Sequence, residues 1–266
     1  MKKTVWLAIA AIFLIAGCSS AATKETTASK DTEEKTEEIR IYLVRHGKTW
    51  FNTMNQVQGY SDSPLTETGE AQAAAVGEGL KDVKFSSAFS SDLARQKNTA
   101  KLILNENSAE VPEVTELKGF REKNFGSFEG QSNDAMNIAV AEALELDYPT
   151  DSDELWDFLK ETLTEQELAD KVAEVDPEQA AETYGEMEER AEKVMTEMLE
   201  EAQRKGGGNV LVVSSGGLIP ILLEVVAPGE YKGEKIANCS VTTLTYKNDK
   251  YSIETIGDTT FIDQLD

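Results

Sequence analysis

The chain has 266 residues but only one histidine, His46, and two cysteines, Cys18 and Cys239. A protein zinc site takes about three or four histidine, cysteine or carboxylate ligands, so a zinc-type cluster is not expected. Basic residues are scarce as well: 26 Lys and Arg stand against 49 Asp and Glu, a formal net charge of −23 at pH 7. Such a chain lacks the basic face that phosphate-rich partners require, and no nucleic acid partner is expected. The same field slows the approach of polyanions unless a few arginines focus a local positive well. Long apolar runs are also missing. The run Val5 to Ala16 is too short to span a bilayer comfortably.

That run follows Lys2 and Lys3 and ends in Leu14-Ile15-Ala16-Gly17-Cys18, which resembles a bacterial lipobox. Residues 1–17 are therefore expected to be a lipoprotein signal peptide. Cleavage before Cys18 would leave a lipid-bearing cysteine that anchors the chain at the extracytoplasmic face of the cell membrane. Residues 19–38, SSAATKETTASKDTEEKTEE, contain no large apolar side chain, and 18–38 is expected to be a disordered tether. Loss of Lys2 and Lys3 with the leader leaves 24 basic against 49 acidic residues, a formal charge of −25. With Cys18 lipidated, Cys239 has no partner for an intramolecular disulfide.

The remainder, 39–260, is long enough for one α/β domain with a sizeable core. Ile39 to Val44 reads as a buried strand. LTETGEAQAAAVGEGLK at 65–81 opens on Thr66 and continues as a helix. Phe85 to Ser90 is strand-like and Leu93 to Leu104 helical. Val210 to Ser214 is an apolar strand, followed by Gly216-Gly217 and the apolar helix Leu218 to Val226. The segment 238–257 reads as two strands joined around Asn248-Asp249, a hairpin at a sheet edge. This alternation predicts an α/β three-layer sandwich, a mostly parallel sheet flanked by helices. In such sheets ligands bind at the carboxyl ends of the strands, where His46 and Ser215 both fall.

His46 belongs to the string LVRHGKT at 43–49. An imidazole at a strand end, beside a guanidinium and a glycine that lets backbone approach a ligand, suits attack on a phosphoryl group. A triplet this short also accommodates a purely structural histidine. What gives it weight is order: Asn52, QGYSDSPLTETGEAQ at 58–72, SDLARQKNTA at 91–100, LKGFREKNFGSFEG at 117–130 and NVLVVSSGGLIP at 209–220 follow in turn. Over roughly residues 39–260 this series resembles the histidine phosphatase superfamily, also called phosphoglycerate mutase-like.

The resemblance implies a small phosphorylated substrate and a chemistry. His46 would be the nucleophile, forming a phosphohistidine that water or a second substrate discharges. Arg45 and Arg95 would grip the phosphoryl oxygens with planar forks that bind two oxygens at once. Glu122, partly shielded by Phe120 and Phe125, would be the general acid, with Glu129 its rival in the same string at the family's second, structural glutamate. Thr49, Asn52, Gln58, Gly59, Ser215 and Gly216 fall where the family contacts phosphate or substrate, although polar loop residues are commonly turn formers. The acidic helical stretch at about 131–184, with Trp156, Phe158 and Leu159 as an inward-facing apolar stripe, would be a cap over the site; a surface appendage is the alternative. No metal or organic cofactor is implied.

One element departs from the pattern. Where the family reads V-V-S-H-G, this chain has Val212-Val213-Ser214-Ser215-Gly216. The histidine absent at 215 is one that donates to phosphoryl oxygens, and losing such a donor costs on the order of 10²–10³ in turnover. Restoring histidine at 215 is therefore expected to raise it. Three readings follow: a surface-anchored phosphatase weakened at Ser215, a non-catalytic module that binds a phosphorylated ligand, and a mutase, against which export argues.

Overall fold

The computed structural model describes residues 38–265. The expected leader, Cys18 and the tether as far as residue 37 lie outside the described residues.

β1 (Ile39–Arg45) leads through α1 (Trp50–Thr53) and α2 (Glu67–Gly79) to β2 (Phe85–Ser90) and α3 (Ala94–Asn105). The short β3 (Val114–Glu116) precedes α4 (Asn133–Ala143), α5 (Ser152–Thr162), α6 (Glu165–Val175) and the long α7 (Tyr184–Arg204). β4 (Gly208–Ser214), α8 (Leu218–Val226), β5 (Val241–Lys247) and β6 (Lys250–Asp258) complete the order. The six strands form one sheet, β3-β2-β4-β1-β5-β6. The β3, β2, β4 and β1 pairings are parallel, while β5 and β6 close the edge antiparallel. Asn248 and Asp249, with φ of 52° and 59°, make the two-residue turn between β5 and β6 that primed hairpins require.

Strand periodicity sorts the core into two layers. Val210 and Val212 of β4 face Met187, Ala191, Val194 and Met198 of α7 and the apolar helix α8. Leu211 and Val213, one residue out of phase, face Val76 of α2 and Ala100 and Ile103 of α3. β4 lies between β1 and β2, so its carboxyl end emerges beside that of β1: Arg45 pairs with Ser214, and the His46 N–H donates to the Ser214 carbonyl at 3.0 Å.

Residues 131–184 hold α4, α5 and α6 around a third apolar cluster. The expected inward stripe is corrected here. Leu155 and Leu159 of α5 are the buried pair, at 2% and 0% exposure, Phe158 is half-buried against the cluster, and Trp156 is 41% exposed. Burying a leucine side chain is worth about 1.5–3 kcal/mol, so the i, i+4 pair sets how α5 lies. The cluster includes Val57 and Phe128, and these helices therefore pack on the loops that carry the candidate site.

Candidate active site

His46 is 3% exposed, at the junction of β1 and β4. Its Nδ1 lies 2.9 Å from the Gly47 carbonyl. A carbonyl only accepts, so Nδ1 carries the proton and Nε2 keeps its lone pair. Burial, then the charges of Arg95 and Arg45, hold the imidazole well below its ordinary 6.5. The side chain is thus neutral, in the tautomer that a nucleophile acting through Nε2 needs. Gly47 is also required for packing. A Cβ there would sit 2.4 Å from the Gly69 carbonyl oxygen, and the Thr99 hydroxyl accepts the Gly47 N–H at 3.0 Å, so the glycine lets the loop lie on α2 and α3.

The two arginines are spent differently. Arg95 is fully buried, and its terminal nitrogens donate to the carbonyls of Ser61, Gln58 and Gly59 and to Asp62, at 2.7–3.3 Å. Its fork therefore holds the 58–62 loop and cannot also grip two phosphoryl oxygens; one N–H, at Nε, is buried without a partner among the described residues. Arg45 donates through Nη1 to the Ile236 carbonyl at 2.7 Å, and its Nε too is buried with no partner among the described residues. A Cβ on Gly216 would come within 3.0 Å of the Arg45 guanidinium, so glycine there lets the group lie flat on the backbone. Two buried guanidinium N–H groups, on arginines whose charges act on the imidazole, are donors of the kind an oxyanion requires.

Glu122, 8% exposed, accepts the N–H of Lys123 at 2.9 Å on one oxygen and that of Gly217 at 2.8 Å on the other. Gly217 caps α8, so the carboxyl group faces a helix N-terminus, and each oxygen keeps a lone pair that can hold a proton. Glu129 accepts the N–H groups of Gly59, Tyr60, Ser61 and Phe125 at 2.7–3.1 Å. Those four bonds give it a loop-holding role.

The expected phosphate contacts divide. Thr49 is fully buried; its hydroxyl accepts the Asn52 N–H as the cap of α1 and donates to Gln58 Oε1 at 2.7 Å. Gln58 donates onward to Ser63 Oγ at 3.0 Å, so both are engaged within the protein. Gly59 has Lys123 O 2.0 Å from where a Cβ would stand and is a packing glycine. Asn52 accepts from Thr49 N–H and from Asn238 Nδ2, and no protein group among the described residues takes its own Nδ2 hydrogens. Asn238, not anticipated from sequence, also donates to the His46 carbonyl at 2.9 Å.

Ser215 is fully buried, and its Oγ accepts from Gln96 Nε2 at 2.5 Å. An imidazole built in the same direction would meet the Gln96 amide, so Ser215→His is best made together with a smaller residue at 96. Cys239 is buried with φ of 57°, and burial pushes its thiol up to about 12, which leaves it inert.

Comparison with known proteins gives this geometry a context. The family model for the histidine phosphatase superfamily (branch 1) matches residues 41–165 and 155–259. A probable phosphoglycerate mutase, GpmB, from Salmonella arizonae is 27% identical over 233 residues, covering 85% of this chain and 95% of that protein. The crystal structure of a phosphoglycerate mutase from Bacillus anthracis is similar at a TM-score of 0.76 and 37% identity, covering 85% of this chain and 96% of that one. A phosphoserine phosphatase from Entamoeba histolytica, solved with phosphoserine, shares the fold at a TM-score of 0.58 and 20% identity, over 84% of this chain and 98% of its own. The family match across nearly all of the α/β unit, with a mutase structure at 37% identity, means that this chain belongs to the histidine phosphatase superfamily.

Proposed function

We propose that the protein is a phosphatase that hydrolyses small phosphomonoesters through a phosphohistidine at His46, held at the extracytoplasmic membrane face by lipid on Cys18. The observation that carries the catalytic part is the neutral His46, with Nε2 unprotonated, under the charges of Arg45 and Arg95, whose buried Nε–H groups have no partner among the described residues. Nε2 attacks phosphorus, the bond to the leaving alkoxide breaks, and Glu122 supplies the proton that makes it an alcohol. The carboxylate so formed takes a proton from water as the water attacks phosphorus. The N–P bond then breaks, and phosphate leaves with His46 neutral again.

The arginines act electrostatically, since phosphoryl transfer spreads negative charge over the equatorial oxygens. The mutase reading is kept because the relatives from Salmonella and Bacillus anthracis carry that name. It differs only in the acceptor: a hydroxyl of the substrate's product in place of water.

The test is turnover of a phosphomonoester panel with and without His46→Ala, together with quenched-flow trapping of labelled enzyme. The phosphatase reading expects a labelled, acid-labile intermediate and release of inorganic phosphate, both abolished by His46→Ala. Label passing to a sugar-acid hydroxyl would make the protein a mutase. Tight phosphate binding without turnover would make it a binding module.

A further inference from the structure

Gln96 follows Arg95 in the first turn of α3 and is fully buried. Both of its amide hydrogens are used. Nε2 donates to the Phe120 carbonyl at 3.2 Å and to Ser215 Oγ at 2.5 Å, while Oε1 accepts the Ser91 hydroxyl. The Phe120 carbonyl decides the amide's orientation, because turning it over would set two acceptors against each other. Ser215 must therefore accept from Gln96, and its own hydrogen points elsewhere. Among the described residues that hydrogen meets no protein acceptor.

The positions beside Ser215 all touch the candidate site. The Ser214 carbonyl accepts from His46 N–H, Gly216 lies against the Arg45 guanidinium, and Gly217 N–H donates to Glu122. A free hydroxyl samples several rotors, whereas one held from behind is aimed in advance, as a stabilising donor must be.

We propose that Gln96 is a positioning residue that fixes the Ser215 hydroxyl as a hydrogen-bond donor to the phosphoryl group at His46. No proton is transferred; the serine adds a third oriented donor to the two arginine Nε–H groups. The assignment rests on the phosphoryl-binding reading of the site.

The test compares calorimetric affinities for orthovanadate, which adopts the five-coordinate geometry of the transition state, and for inorganic phosphate, which does not. Wild type, Ser215→Ala, Gln96→Met and the double variant are measured, with turnover alongside. Ser215→Ala is expected to lower the vanadate-to-phosphate affinity ratio and to lower kcat on the order of 10²-fold with little movement of KM. Gln96→Met should lower both in the same direction, and the double variant should be no worse than Ser215→Ala. Gln96→Glu, whose carboxylate would draw the serine hydrogen toward itself, should be worse than Gln96→Met.

A merely structural Gln96 would lower thermal stability and weaken both anions alike. That outcome, an unchanged ratio, or losses that multiply in the double variant would overturn the proposal. If no Gln96 variant folds, Ser215→Thr decides: retention of the vanadate preference supports an oriented hydroxyl, and loss equal to Ser215→Ala overturns it. Should wild type show the vanadate preference but turn over no phosphomonoester, the catalytic reading fails while the donor assignment stands.

Discussion

Because the chain has one histidine, His46 can be followed alone by histidine-selective NMR. Its titration midpoint is expected below 6.5, because burial and two guanidinium charges oppose the imidazolium, and the Nδ1–H tautomer should persist above the midpoint. A midpoint at or above 6.5 would contradict the burial and charge that are argued to oppose the imidazolium. The linkage has a definite sign. An unfolded chain takes up a proton at His46 as pH falls through 6.5 while the folded chain does not, so this group lowers stability from 6.5 down to its folded midpoint. At the residue scale the sequence exposes Arg45, His46 and Glu122, since each sits in a short local string whose chemistry is visible. Gln96 and Asn238 were hidden: they act on partners 119 and 186–192 positions away, and nothing beside them marks the pairing.

Asp176, at the end of α6, shows how an element is tied to the site. One carboxylate oxygen accepts from the N–H and hydroxyl of Ser127 and the other from the N–H groups of Ala180 and Ala181. Burial raises this carboxyl's pKa, but those bonds outweigh it and hold the group at about 2, against an ordinary 3.8. Asp176→Ala leaves buried N–H groups unpaired and is expected to cost about 1–3 kcal/mol in urea denaturation at pH 7. The carboxylate's contribution is present above 3.8 and is lost as pH falls toward 2, so the difference between wild type and variant should shrink across that window. A variant as stable as wild type at pH 7 would show that the tie carries no load. Capped and strongly periodic elements were legible: Thr66 caps α2, and α8 runs over Leu218–Val226 as read. The stripe of α5 was not, because Leu155, Trp156, Phe158 and Leu159 cover more than one face of a helix. Only the third cluster selects Leu155 and Leu159.

For the whole molecule, the proposed anchor is tested by Cys18→Ala, which should release the protein into the soluble fraction or leave its precursor uncleaved. Mass spectrometry that finds an unmodified Cys18 in membrane-derived protein would end that proposal. The sequence by itself determined the alternation of strands and helices, the acidic balance and the order of motifs that mark the superfamily, because these rest on period, composition and local chemistry. Tertiary structure decided which polar groups are already satisfied. It spends the Arg95 fork on the 58–62 loop, engages Thr49 and Gln58 with each other, and leaves two arginine Nε–H groups and the Ser215 hydrogen without partners among the described residues. Hydrogen-bond capacity is shared among residues distant in the chain, and a residue's type states what it can donate but not what has already taken it.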